Sequence, residues 1–317
     1  MSFYVYGNED FRQQELPAFE YNQKLNDPSR YLPSEGLTDA VNVALSLGQP
    51  LLLTGEPGTG KTALARHIAW FFNLGKPLVF NAQTSSTATD LFYKYDALGH
   101  FQFSQNSAQS LTPEQVEERF IRYQGLGAAI RSKKRQVVLI DEIDKAPRDL
   151  PNDVLAAIEE LAFSVPEVGK SYETTAENRP IIVMTSNSEK NLPDAFLRRV
   201  IYYHIPFPDS DMLLEILSSK IEGYDAKQLK LIVQHFEAIR SNTRLKLKKK
   251  PATAELIFWA MLLYRLGFDP AQLASVKALD GENRRQLLTS YSVLAKTQDD
   301  LDALQGMVEG RGGGRKV

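Results

Sequence analysis

The stretch Gly55-Glu56-Pro57-Gly58-Thr59-Gly60-Lys61-Thr62 constrains the fold more than any other part of the chain. It meets the pattern G-x-x-x-x-G-K-[ST] at every position. It also stands between an apolar run, Pro50–Thr54, and a helical pattern, Ala63–Phe72. A strand that turns through such a loop into a helix gathers backbone N–H groups around one point, and its glycines remove the side chains that would block a polyphosphate there. In this pattern Lys61 is placed to reach the β- and γ-phosphates and Thr62 to ligate Mg²⁺. A plain glycine turn between strand and helix is the simpler alternative, and the full motif in its proper setting argues against it.

Around the loop the chain alternates. Leu51–Thr54, Pro77–Asn81, Gln136–Asp141, Pro180–Ser186 and Val200–Ile205 are short apolar or β-rich runs with helical patterns between most of them. Continuous rather than alternating apolarity predicts strands covered on both faces, as in a parallel sheet sandwiched by helices. This makes residues 31–206 an α/β domain. After Pro206-Phe207-Pro208 the strand signals fade. Met212–Ile221, Ala226–Ile239 and Ala254–Leu266 then read as helices, with Gly223 and Gly267 as stop signals, so residues 207–300 form a small all-α domain. Residues 1–30 are read as an N-terminal extension and 301–317, ending Gly-Arg-Gly-Gly-Gly-Arg-Lys-Val, as a flexible tail. A length of 317 residues suits two domains at about 100–200 residues each.

Val137-Val138-Leu139-Ile140-Asp141-Glu142 sets two acids at the end of a buried strand. Acids there are costly unless they meet a cation or hydrogen-bond donors. Beside a phosphate loop, Asp141 suits the Mg²⁺ shell and Glu142 suits polarising an attacking water. The four histidines, His67, His100, His204 and His235, are far apart and show no ligand spacing, so no metal is assigned to them.

With these motifs the sequence resembles the AAA+ ATPases, and within them the MoxR-like, helix-2-insert clade. The match lies in residues 55–62, in Val137–Ala146, in Met-Thr-Ser-Asn-Ser-Glu at 184–189 and in Asp-Ala-Phe-Leu-Arg-Arg-Val at 194–200. The resemblance implies a P-loop sheet domain followed by a helical lid. It also implies ATP and Mg²⁺ as cofactors, with Asn187 as the sensor 1 residue that helps hold the attacking water. Arg199 or Arg198 matches the arginine finger that completes a neighbouring subunit's site. Thr84–Ser104 and Phe163–Tyr172 match the clade's helix-2 insert and its hairpin before sensor 1, which in relatives project toward the pore or the partner. For the cluster Phe92, Tyr93 and Tyr95, core packing is the alternative. The sequence departs from many relatives at sensor 2, because Lys248–Glu255 contains no arginine. Lys250 is the candidate substitute there, as a point charge. Arg244–Lys250 is otherwise a solvated basic stretch or a small patch for nucleic acid or an acidic partner.

The implied activity is Mg²⁺-dependent ATP hydrolysis by a homo-oligomeric ring, a hexamer in relatives, that remodels or activates a protein partner, often one with a von Willebrand factor A domain. The rival readings are a nucleic-acid-associated motor and an ATP-dependent assembly switch. With 37 basic and 39 acidic residues, a net charge of −2 excludes nucleic-acid binding through overall positive charge, though not through a local patch. Zero cysteines exclude disulfides, thiolate metal sites and a cysteine nucleophile. No apolar run reaches the roughly 18–20 residues of a membrane span, and the first residues lack a signal-peptide pattern, so a cytoplasmic location is expected.

Overall fold

The computed structural model describes residues 9, 12, 25–106, 110–188 and 192–309. The chain forms two compact units, one of Pro33–Glu56 with Gly60–Pro206, the other taking in Phe207 onward, Pro57–Thr59 and the N-terminal residues as far as Leu32.

The first unit begins with α1 (Glu35–Leu47), started by Ser34, whose hydroxyl accepts from the Leu37 amide, and stopped by left-handed Gly48. Then come β1 (Leu51–Thr54), α2 (Lys61–Phe71), β2 (Leu78–Asn81), β3 (Tyr93–Tyr95), α3 (Ala97–Asn106), α4 (Pro113–Phe120), β4 (Ile121–Tyr123), α5 (Gly125–Arg131) and β5 (Val137–Asp141). The unit closes with α6 (Leu150–Glu160), β6 (Ala162–Val165), β7 (Lys170–Glu173), β8 (Ile181–Thr185), α7 (Asp194–Leu197) and β9 (Ile201–His204).

Among the described residues, the five runs expected as strands form a single five-stranded sheet in the order β2-β5-β8-β1-β9. All of its pairings are parallel. The physical reason is the one their composition announced. Leu52, Val138, Ile140, Ile182 and Met184 pack in one cluster with Leu126, Ile130, Val154 and Ile158. The intervening Leu51, Leu53, Val137, Leu139 and Val183 are just as buried, so by the two-residue period of a strand both faces of β1, β5 and β8 are covered, while the edge strands β2 and β9 are partly exposed. Register pairs Leu53 with Thr185 and Ile140 with Met184. The carboxyl ends of β1, β5 and β8 therefore lie side by side, where ligands of open α/β sheets bind.

The inserted segments form two small antiparallel sheets, β3 with β4 and β6 with β7. The first extends well past the expected Thr84–Ser104, because Tyr93–Tyr95 pairs with Ile121–Tyr123 across α3 and α4. Tyr93 is buried, and Phe92 stacks on Phe163 with ring centroids 4.9 Å apart. Tyr95 donates or accepts at His100 Nδ1, 2.6 Å away. Phe92, Tyr93 and Tyr95 therefore pack into the core, whereas Phe101 of the same segment is 61% exposed.

The second unit contains α8 (Ser210–Lys220), α9 (Ala226–Ser241), α10 (Thr253–Leu266), α11 (Gly281–Leu294) and α12 (Gln298–Glu309). Its core is built on Trp259, Phe236, Tyr291 and the leucines around them. Gly267 ends α10 in the left-handed conformation. Gly223 has a different job: a Cβ there would lie 2.3 Å from the ring of Tyr264. The tail is corrected by α12. Residues 301–309 are helical because Leu304 and Val308 are buried in this core, leaving 310–317 outside the described residues. Of the N-terminal extension, Asp27 caps a short turn at Pro28–Arg30, and Arg30 donates to the Ser219 carbonyl at 2.7 Å; most of residues 1–24 lie outside the described set.

Candidate active site

The phosphate loop follows β1 directly. Gly55, Gly58 and Gly60 have φ of 143°, 80° and 93°, a region that side-chain-bearing residues rarely enter, so the turn depends on them. Gly60 then starts α2 without a side-chain cap. In contrast, Ser34, Thr112, Asp209, Asp225 and Asp280 each cap the helix that follows them. A helix start with no side-chain acceptor of its own, preceded by glycines, is the arrangement that accepts an external anion. Lys61 is buried, and its Nζ donates to the carbonyls of Gly55 at 2.8 Å and Glu56 at 3.0 Å. Burial lowers its pKa, against the charges of Asp144, Asp141 and Glu142, which raise it. Three acids thus keep a buried ammonium next to the loop.

The two acids sit where β5 ends. Asp141 Oδ1 accepts from the Thr62 hydroxyl at 3.1 Å. Both groups are hard oxygen donors, one of them anionic, which is the ligand chemistry Mg²⁺ selects when phosphates complete its shell. The residues present therefore fit the ion that the motif implies. Glu142 follows in the left-handed region, with φ 56° and ψ 48°. A non-glycine residue held there costs on the order of 1 kcal/mol and persists where the surroundings fix it. Here its amide donates to the Thr185 hydroxyl at 2.9 Å. Its carboxylate accepts from Lys145 Nζ at 2.5 Å and from Asn187 Nδ2 at 3.4 Å. The Lys145 pKa is raised, chiefly by that hydrogen bond.

Asn187 is the tip of the β8 turn. Ser186, fully buried, accepts from the Ser188 amide and donates to its carbonyl, which shapes the turn, while the Asn187 amide donates to Asp144 Oδ1 at 3.3 Å. The structure thus brings Thr62, Asp141, Glu142 and Asn187 together. It does not bring in Arg198 or Arg199. Both are exposed at the end of α7, anchored by buried Phe196, and among the described residues neither guanidinium has a partner. Lys250 is exposed in the second unit, just before α10. Sequence reasoning missed Lys145 and Thr185. The first carries a signal, a lysine three residues after an acid, whereas the second is hidden as a β-branched residue in an apolar strand.

A parallel sheet with helices on both faces, a glycine loop leading from β1 into an uncapped helix, and two acids ending β5, with β8 between, define a P-loop α/β fold. Residues 50–200 match the model of the AAA domain of the dynein-related subfamily. The gas vesicle ATPase GvpN of Haloferax mediterranei is 25% identical over 205 residues, 62% of this chain and 58% of the relative. YehL of Escherichia coli, itself uncharacterised, is 24% identical over 240 residues, 70% of this chain and 62% of the relative. The chain thus spans about three fifths of the length of these relatives. Among solved structures, a mutant of RuvB from Thermotoga maritima aligns at 17% identity over 80% of this chain and 74% of that one, with a TM-score of 0.44.

Proposed function

We propose that the protein is a Mg²⁺-dependent ATPase of the MoxR-like kind that assembles into a ring and remodels or activates a protein partner. The observation that carries this reading is the convergence of Thr62, Asp141, Glu142 and Asn187 beside the phosphate loop. The loop amides and Lys61 would hold the phosphates, and Thr62 and Asp141 would hold Mg²⁺, which when bound would neutralise phosphate charge. Asn187 and Glu142 position the attacking water, and a carboxylate oxygen of Glu142 takes its proton. Because chemistry of this type is mostly positioning and electrostatics, few groups are needed and each must be placed accurately.

Two adjacent arginines on the surface suit a finger that acts on a neighbouring subunit, since the described residues of one chain give them nothing to pair with. Arg199 is favoured over Arg198. The ring, its hexameric size and a partner with a von Willebrand factor A domain rest on the MoxR-like resemblance. The basic run 244–250 offers less to nucleic acid than its sequence suggests, because Lys248 is paired with Asp299 at 2.5 Å and its amide donates to buried Asp300. Among the described residues, no helix is long and apolar enough to cross a membrane. The test is ATP turnover by the wild type and by Glu142→Gln, together with mass-resolved assembly with and without ATP. Turnover absent from the wild type, or unaffected in Glu142→Gln, overturns the reading. Turnover stimulated several-fold by DNA or RNA, and not by a protein partner, replaces it with the nucleic-acid motor.

A further inference from the structure

Thr185 is the last residue of β8, 1% exposed, and no part of the reaction described above uses it. Its neighbours are both acids of the site. The hydroxyl donates to Asp141 Oδ1 at 2.5 Å and accepts from the Glu142 amide at 2.9 Å. The register explains the contact. Ile140 pairs with Met184, so the next residues, Asp141 and Thr185, fall opposite one another at the carboxyl ends of adjacent parallel strands.

A hydroxyl has one proton to give. The amide of Glu142 can only donate, so the Thr185 oxygen must accept there, and its single proton is committed to Asp141. That fixes the direction of every hydrogen bond in the chain Glu142 N–H to Thr185 O–H to Asp141. It also makes Asp141 Oδ1 the acceptor toward Thr185. Oδ1 of Asp141 accepts hydrogen bonds from the Thr185 and Thr62 hydroxyls, which fixes the rotation of the carboxylate. The same hydroxyl holds the strained left-handed backbone from which the Glu142 side chain departs. Two residues further on, Asn187 reaches Glu142 and Asp144, so the water-holding turn and the acids are tied to one strand end.

We propose that Thr185 is a positioning residue for the hydrolysis reaction, its hydroxyl setting the metal-binding carboxylate of Asp141 and the backbone of Glu142 together. The proposal rests on the ATPase reading and extends it. A polar partner of this kind, acting through residues that touch metal or substrate, is worth about 10- to 100-fold in activity when removed.

The experiment uses the full chain with four replacements: Thr185→Val, Thr185→Ser, Thr185→Ala and Glu142→Gln. Valine keeps the shape and loses the hydroxyl. Serine and alanine both lose the methyl group and differ only in the hydroxyl, so their comparison survives even where valine fails to fold. kcat, KM for ATP and the Mg²⁺ concentration giving half-maximal rate are measured, with melting temperature alongside. We expect kcat of Thr185→Val and Thr185→Ala to fall by about 10- to 100-fold, the half-maximal Mg²⁺ concentration to rise, and Thr185→Ser to recover most of the rate. Equal rates for serine and alanine, or a valine variant within about two-fold of wild type while Glu142→Gln is inactive, overturn the proposal. A rate loss that follows melting temperature rather than the hydroxyl overturns it too. A wild type without turnover overturns the ATPase reading beneath it, a result distinct from the others.

Discussion

Two carboxylates of the sheet unit, Glu142 and Glu117, invite comparison because the chain treats the same chemical group in opposite ways. Glu117 lies on α4 with a side chain only 12% exposed. It accepts from Tyr123 and Tyr172 at 2.6 Å each, from Lys170 at 2.7 Å and from Arg131 at 3.0 Å. Arg131 also lies over the Tyr123 ring, 3.7 Å from its centroid. Burial alone would raise the carboxyl's pKa. Hydrogen bonds from Lys170, Tyr123 and Tyr172, with the Lys170 charge, outweigh it and bring the value down to about 2. Glu142 is 42% exposed, keeps one short ion pair and one long contact to Asn187, and sits on strained backbone. The saturated acid fastens the β3–β4 and β6–β7 inserts together; the unsaturated one has lone pairs left for a water. Completeness of hydrogen bonding, more than charge or location, separates the structural acid from the candidate catalytic one.

The comparison predicts opposite losses on mutation. The largest effect belongs to the phosphate loop that Glu142 serves. Lys61→Ala should abolish ATP binding by calorimetry, and an affinity retained within a few-fold would sink the loop assignment. Next come the exposed arginines. Arg198→Ala and Arg199→Ala, singly and together, should lower turnover, by about 10³-fold for the finger itself, without loss of ATP affinity. Wild-type turnover in both single variants would remove the idea of a finger supplied by a neighbour.

The direct contrast is between isosteric amides. Glu142→Gln should bind ATP and assemble yet turn over at least ~10²-fold more slowly, with an unchanged melting temperature. Glu117→Gln should do the reverse, losing on the order of 2 kcal/mol of stability while the rate per folded molecule stays within about two-fold. If Glu117→Gln slows hydrolysis as much as Glu142→Gln, the division between the two acids is wrong.

The smallest effect is a pH dependence that differs between the units. The Glu117 pKa is depressed from 4.5, so its stabilisation is complete above about 4.5 and is lost as pH falls toward 2. In the helical unit His235, half-buried, packs against Tyr291 and Trp259, and loss of solvent lowers its pKa from 6.5 to about 4. Between those values the unfolded chain binds the extra proton, so the helical unit loses stability as pH falls from 6.5 toward 4. Trp259 fluorescence in a Trp70→Phe background should therefore report acid loosening at higher pH than circular dichroism of the β inserts. Coincident transitions would argue against this assignment of the two groups.

The core sheet was legible because its central strands are short runs buried on both faces, as Leu51–Thr54 and Val137–Asp141 show, although the edge strands Leu78–Asn81 and Ile201–His204 are partly exposed. The phosphate loop and the acids that follow β5 were legible because their chemistry requires fixed residue types at fixed spacing. The inserts were only half legible. Three-residue strands such as Tyr93–Tyr95 and Ile121–Tyr123 have no period to detect, and their pairing spans a gap that no local signal closes. Glu117 reads in sequence as one more acid on a charged helix, and α12 was lost to the glycine-rich residues after it.

What the sequence determined by itself is therefore local: where strands run, where a phosphate would be cradled, and which acids end β5. What only the tertiary structure decided is which polar groups share a proton. Thr185 is 43 residues from Glu142 and 44 from Asp141 in the chain. Glu117 is 53 residues from Lys170. A side chain's role in a hydrogen-bond network depends on distances of about 3 Å between such remote positions, and strand register and burial set those distances.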